Sequence, residues 1–167
     1  IADILHRNGF PPSPRRKGIT WRQFLARHAD VLLCLDLFTK EVWTTAGLRT
    51  AYVLFAIHLR TRRIVLAEAT FSPDSLWMRQ MGRNLLIECE DLAIAPRFVV
   101  HDRDRLLVHD LDVTLGTAVP DIVLTPFRAP DANAHAERLV RSITGECLDH
   151  LILIGLGSLQ RVLAQYR

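Results

Sequence analysis

Residues 97 to 102 read Arg-Phe-Val-Val-His-Asp, a short apolar run that closes on a carboxylate. Such a run, bounded by polar residues, is typical of a buried strand, and sites in α/β sheets gather at the ends of strands. The run therefore predicts a central strand that ends at Asp102. A competing interpretation makes Asp102 a turn-forming residue, helped by Asp104 two positions later.

A second carboxylate interrupts another apolar run, residues 31 to 38, at Asp36. Because strand side chains alternate, Asp36 shares a face with Cys34 and Phe38. A buried charge is costly unless it is paired or bound to a metal ion. A structural role would need a buried Arg or backbone partner, so we favour a functional role for Asp36.

A third carboxylate, Glu137, lies near the start of a helix predicted over residues 132 to 150. The apolar stripe of that helix, spaced for one buried face, is Ala132, Ala136, Leu139, Ile143 and Cys147. Glu137 falls on the adjacent stripe, at the edge of the core, where a ligand could reach a strand end. The alternative is an exposed pair with Arg141 at i+4, which would be the simpler explanation for Glu137 alone.

The remaining pattern predicts an α/β fold built on a mixed five-stranded sheet flanked by helices. Three consecutive strands with a short link between the last two indicate an antiparallel meander, and later alternation of strands and helices indicates parallel βα units. The predicted strands are 31–39, 52–59, 63–70, 97–101 and 121–125, and the predicted helices are 20–28, 74–91, 107–117 and 132–150.

The first 19 residues predict a linker, because residues 10 to 18 combine prolines with basic side chains. A capping box of Thr20 and Gln23 then starts the first helix. We expect residues 1–19 to follow a missing N-terminal DNA-binding region, and residues 20–167 to form one catalytic core that is truncated at its C-terminus.

Composition narrows the class of protein. The 167 residues carry a net charge of +3, and all basic residues except Lys17 and Lys40 are Arg, which suits phosphate contacts but also follows from GC-rich codons. Three cysteines without CxxC spacing argue against a zinc site or disulfide framework.

No apolar run approaches the roughly 18 residues of a membrane span, so a cytoplasmic location and no membrane partner are expected. The three tryptophans are expected to anchor the core.

Together the three carboxylates predict a metal site for phosphoryl chemistry on nucleic acid. We expect Asp36, Asp102 and Glu137 to hold two Mg²⁺ (or Mn²⁺) ions roughly 4 Å apart. One ion would activate a water or a 3′-hydroxyl, and the other would stabilise the leaving oxygen. Mg²⁺ prefers a few carboxylates together with phosphate oxygens of the substrate.

The sequence resembles the integrase-type catalytic core of bacterial insertion-sequence transposases, the DDE group with a ribonuclease-H-like fold. The resemblance spans roughly residues 5 to 167 and rests on the motifs at 34–39, 100–104, 125–138 and 146–150. It implies that Asp36, Asp102 and Glu137 are the catalytic triad of an enzyme that cleaves element ends and joins them to target DNA.

The same resemblance implies DNA and further copies of the chain as partners, in a nucleoid-associated bacterial enzyme. The residues expected to contact DNA are Arg103, Arg105, Arg128, Asn133, Arg138 and Arg141. Relatives often carry basic or neutral polar residues where this chain has Leu106, Asp131, Thr144 and Gly145. Two alternatives therefore stay open: a nuclease of the same fold that does not join ends, and a non-catalytic DNA-binding remnant of a decayed transposase.

Overall fold

The computed structural model describes residues 19–102, 109–125 and 134–166, and the proline-rich linker predicted over residues 1–19 lies almost wholly outside them. The strands are β1 (Leu32–Thr44), β2 (Gly47–His58), β3 (Ile64–Thr70), β4 (Phe98–His101) and β5 (Asp121–Leu124). The α-helices are α1 (Trp21–His28), α2 (Ser75–Asp91), α3 (Asp110–Leu115), α4 (Ala134–Glu146) and α5 (Leu156–Tyr166).

The strands form one mixed sheet in the order β3-β2-β1-β4-β5. β1 and β2 pair antiparallel, as do β2 and β3, whereas β1 with β4 and β4 with β5 pair parallel. The α/β class and the mixed five-stranded sheet flanked by helices are therefore confirmed. The capping box at Thr20 is also present, with reciprocal bonds to Gln23.

Alternation along β1 gives the sheet two apolar faces. Leu32 and Cys34 point into a core that α1, α4 and α5 cover, and we call this side the α4 face. Leu33 and Leu35 point into a second core under α2 and α3, which we call the α2 face. A strand that is buried on both sides must read as a continuous apolar run, which explains the sequence from 31 to 35.

Several predicted boundaries were wrong, each for a local reason. β1 and β2 are longer than predicted and meet at a hairpin at Gly47, whose φ of 102° suits glycine. The prediction ended both strands early because polar residues interrupt the apolar runs in their outer halves. The helix predicted to residue 150 ends at Glu146, and a 3-10 turn, Leu148–His150, follows it. The helix predicted over 107–117 is the shorter α3, with residues 107–108 outside the described part.

The expectation that all three tryptophans anchor the core was also wrong for one of them. Trp21 and Trp77 are half-buried and pack against the two cores, but Trp43 is 54% exposed. The side chain of Val42, one residue earlier, lies on the buried side of β1. Because side chains alternate along a strand, the side chain of Trp43 faces the solvent. The cysteines are free thiols, as expected. Within the described ranges, every helix is too short or too polar to cross a lipid bilayer.

Candidate active site

The parallel pairing of β1 with β4 sets Asp36 and Asp102 in line. Leu32 faces Phe98, and Cys34 faces Val100. The paired residues end at Cys34 and Val100. Two residues further along each chain lie Asp36 in β1 and Asp102, one residue beyond β4. Because side chains alternate, both carboxylates extend the row of Cys34 and Val100 on the α4 face. Two of the three predicted residues therefore share one face at the end of β4.

Asp36 is half-buried in the middle of β1, where its antiparallel neighbour on β2 is the buried Phe55. Its Oδ1 accepts a hydrogen bond of 2.8 Å from the backbone N–H of Leu37. The carboxylate thus sits at the point where β1 passes from fully buried residues to partly exposed ones. The side chain is therefore partly accessible to water at this position.

Asp102 lies one residue beyond β4 and is held by a residue that follows β5. The hydroxyl of Thr125 donates a hydrogen bond of 2.7 Å to Oδ1 of Asp102. The backbone N–H of Thr125 donates to the carbonyl of His101 at 3.1 Å, which continues the β4–β5 ladder by one bond. The parallel pairing therefore brings a buried hydroxyl to the carboxylate.

His101 holds the backbone of Asp102 from inside the protein. This side chain is fully buried; Nδ1 donates to the carbonyl oxygen of Asp102 at 2.7 Å, and Nε2 donates to Oδ1 of Asp112 on α3 at 2.8 Å. A backbone carbonyl can only accept, so Nδ1 carries a proton, and both of these acceptors are held at the same time when Nε2 is protonated as well. Burial lowers the pKa of His101, but the hydrogen bonds and charges of Asp112 and Asp102 outweigh it and raise that pKa above its ordinary value.

Glu137 lies in the first turn of α4, with its carboxylate 42% exposed. Its Oε2 is 3.9 Å from the guanidinium of Arg141, the i+4 pair that the simpler interpretation expects. Among residues 19–102, 109–125 and 134–166, no three His, Cys, Asp or Glu side chains come close enough to hold a metal ion. Glu137 is thus not gathered with Asp36 and Asp102 into one group, and the three-carboxylate metal site stays a prediction.

The predicted DNA contacts are only partly within the described residues. Arg138 and Arg141 are exposed on α4. The other four, Arg103, Arg105, Arg128 and Asn133, lie outside the described residues, as do Leu106 and Asp131. On α4, Thr144 is half-buried and Gly145 faces open space.

Positive charge also reaches the start of α4 from another part of the sheet. Partial burial, then the charges of Arg62 and Arg138, lower the pKa of His135. Arg62 belongs to the β2–β3 turn and has a φ of 62°, in the left-handed region. From the sequence, His101 is a neighbour of Asp102 that could orient a ligand or a water, and Thr125 is the first residue of the motif at 125–138. Arg62, Asp112 and the contacts of these residues were not predicted.

The donor chemistry of the two aligned carboxylates fits Mg²⁺. This ion binds oxygen ligands, and proteins often supply only one or two carboxylates while the substrate supplies phosphate oxygens. The nearby thiol of Cys34 does not compete, because burial raises its pKa to about 12 and keeps it protonated. Asp36 and Asp102 would offer such an ion oxygen donors only.

No protein-family model and no curated protein matches the sequence. Among solved structures, the chain is similar to one in the cryoEM structure of the simian T-cell lymphotropic virus intasome in complex with the PP2A regulatory subunit B56 gamma. The TM-score is 0.54 at 13% identity, over 80% of this chain and 47% of that chain. At this identity the likeness concerns the fold alone, and the present chain spans about half the length of that chain.

Proposed function

We propose that the chain is the catalytic core of a DDE-type polynucleotidyl transferase with a ribonuclease-H-like fold, of the kind found in bacterial insertion-sequence transposases. It would cleave DNA at the ends of a mobile element and join the 3′-hydroxyl ends to target DNA. The observation that supports the proposal is the β1–β4 register: Asp36 and Asp102 each follow, by two residues, the paired Cys34 and Val100. The likeness in fold to a chain of a viral intasome supports the same class.

In this proposal Asp36 and Asp102 hold Mg²⁺ (or Mn²⁺), and Glu137 joins them from the first turn of α4. The bound ions supply Lewis-acid activation of the attacking oxygen and stabilise the leaving oxygen. Thr125 holds the carboxylate of Asp102 by a hydrogen bond, and His101 holds its backbone carbonyl. To bind the ion, Glu137 must leave its exposed ion pair with Arg141. Such a pair contributes only a few tenths of a kcal/mol, so breaking it costs little free energy.

DNA is the proposed partner of the surface around α4. Arg138 and Arg141 are exposed there, and the charge of Arg62 acts on the same end of the helix. Arginine binds phosphate through two parallel hydrogen bonds, so these side chains suit a DNA backbone. Assembly of several copies on paired DNA ends, in a bacterial nucleoid, belongs to the same proposal. An intasome as structural neighbour supports both DNA and an oligomer.

A second candidate function is favoured by the arrangement of Glu137. Its pairing with Arg141, and the finding that no three potential ligands converge within the described part of the chain, fit a non-catalytic DNA-binding remnant. A nuclease that hydrolyses without joining would use the same donor pair as the transferase. The three functions differ in their products, which makes them separable in one assay.

The assay incubates the purified chain with Mg²⁺ and labelled duplexes taken from the DNA that flanks its coding sequence. Joined products support the transferase, whereas nicked products without joining support the nuclease and reject transfer. DNA binding with neither product supports the remnant. Asp102→Asn is the matched control, because it removes a ligand charge with little change of shape.

A further inference from the structure

We propose that Thr125 is a positioning residue that orients the carboxylate of Asp102 for cation binding, while His101 and Asp112 fix the backbone of the same residue. The inference rests on the proposed function, since it assigns a task to residues around one of its metal ligands. The contacts that carry it join three separate elements, β4, β5 and α3, at a single aspartate.

The hydroxyl contact is built into the sheet rather than made by a mobile surface group. Thr125 is only 7% exposed, and its backbone is tied to His101 by the last bond of the β4–β5 ladder. Its hydroxyl oxygen then lies 2.7 Å from Oδ1 of Asp102. A hydrogen bond to one carboxylate oxygen restricts rotation of the carboxylate plane. A carboxylate offers about four lone-pair sites, so acceptor capacity remains for a cation.

A second contact, made by His101, holds the backbone carbonyl of Asp102. Asp102 follows the last residue of β4 and its carbonyl lies beyond the paired part of that strand. His101 donates to this carbonyl at 2.7 Å and is itself held by Asp112 at 2.8 Å. The buried ring therefore connects the end of β4 to α3 through two hydrogen bonds.

Side chains that hold a metal ligand in place influence metal affinity strongly. Removal of such a hydrogen-bond partner typically weakens metal binding or activity about 10- to 100-fold. The same magnitude is expected here if Thr125 orients Asp102. A threonine with a purely structural role would instead change stability and leave the affinity for the ion unaltered.

The test measures Mn²⁺ binding to the full chain by electron paramagnetic resonance, with thermal melting recorded in parallel. Thr125→Val keeps the shape and removes the hydroxyl, and Thr125→Ser keeps the hydroxyl. We expect the Val variant to bind Mn²⁺ at least about tenfold more weakly and the Ser variant to recover most of the affinity. Thr117→Val removes the hydroxyl of a residue after α3 that donates to the backbone carbonyl of Thr114, and serves as the control.

A second pair of variants covers the case in which Thr125→Val does not fold. Asp112 is partly exposed at the surface of α3, and its carboxylate contacts the buried His101. Asp112→Leu should therefore also lower stability, which the melting curves record, whereas Asp112→Asn should lower it less. The Leu variant removes the acceptor for His101 and should weaken Mn²⁺ binding, whereas the Asn variant retains an acceptor oxygen and should weaken it less. In DNA cleavage, the affected variants should lose kcat with little change in KM.

Three outcomes are decisive. Normal Mn²⁺ affinity of Thr125→Val, or of Asp112→Leu where the Val variant is unfolded, would overturn the positioning role while leaving the proposed function intact. Equal loss in the Ser and Val variants would also overturn it. A wild-type chain that neither binds Mn²⁺ nor cleaves DNA would refute the proposed function, and the positioning role with it.

Discussion

Cys34 faces Val100 directly across the parallel pairing of β1 with β4, and both side chains point into the core under α4. Two residues further on, the same row reaches Asp36 and Asp102. The buried pair thus fixes the register that aligns the two carboxylates. A shift by one residue would turn either acid to the opposite face of the sheet.

The first prediction concerns the three carboxylates. Asp36→Asn, Asp102→Asn and Glu137→Gln should each abolish Mg²⁺-dependent DNA cleavage, because each removes a charged metal ligand. Gel assays with labelled duplexes measure the loss. Glu146→Gln is the control on the same helix, since the exposed Glu146 only accepts a hydrogen bond from Ser142. Near-normal cleavage by one of the three variants would remove that residue from the site.

The second prediction concerns two glycines in helices. A Cβ at Gly82 would lie 2.9 Å from the side chain of Thr114, whereas a Cβ at Gly145 would meet nothing within 4 Å. Gly82→Ala should destabilise the protein by about 1–2 kcal/mol, because overpacking between α2 and α3 outweighs the gain in helix propensity. Gly145→Ala should stabilise it by about 0.5–1 kcal/mol.

Urea denaturation with both variants measures these changes in the free energy of unfolding. Equal effects of the two substitutions would show that α2 and α3 do not approach each other closely at Gly82.

The third prediction concerns the reactivity of the thiols. Burial raises the pKa of Cys34 to about 12, and burial together with the charge of Glu88 raises that of Cys89 to about 11. Cys147 is only half-buried. Iodoacetamide at mildly alkaline pH should therefore modify Cys147 first, as followed by mass spectrometry of peptides. All three should react at similar rates in urea. Rapid native labelling of Cys34 would contradict its position in the core.

The fourth prediction concerns pH. The hydroxyl of Ser75 and the guanidinium of Arg79 lower the pKa of the Asp110 carboxyl. A carboxyl whose pKa is lowered in the folded state stabilises that state above its unfolded pKa, and this contribution is lost as the pH falls through the folded value. Ser75→Ala and Arg79→Met should each raise the pKa of Asp110, as measured by NMR titration. An unchanged titration in both variants would refute the contact between α2 and α3.

The sequence predicted the sheet because its central strands are apolar on both sides. The outer halves of β1 and β2 were missed, since polar residues such as Lys40, Glu41 and Arg49 interrupt the apolar run there although the backbones pair fully. The exposure of Trp43 was missed for a related reason: residue type predicted burial, but strand parity placed Val42 inside instead.

The candidate site was predictable only in part. Asp36 and Asp102 were identified from single strands, because a charge within or closing an apolar run needs an explanation. Thr125 and Asp112 were not, since their contacts depend on which strand and helix lie beside β4. Glu137 lies 3.9 Å from Arg141, the contact that helical i+4 spacing predicts, and its role as a metal ligand stays a prediction.

The most direct measurement is a crystal structure of the chain grown with Mn²⁺, with anomalous scattering used to locate the ion. We predict an anomalous peak between Asp36 and Asp102, with Glu137 turned from Arg141 toward the same ion. Full occupancy of Mn²⁺ elsewhere, with these carboxylates bound only to protein groups, would contradict it.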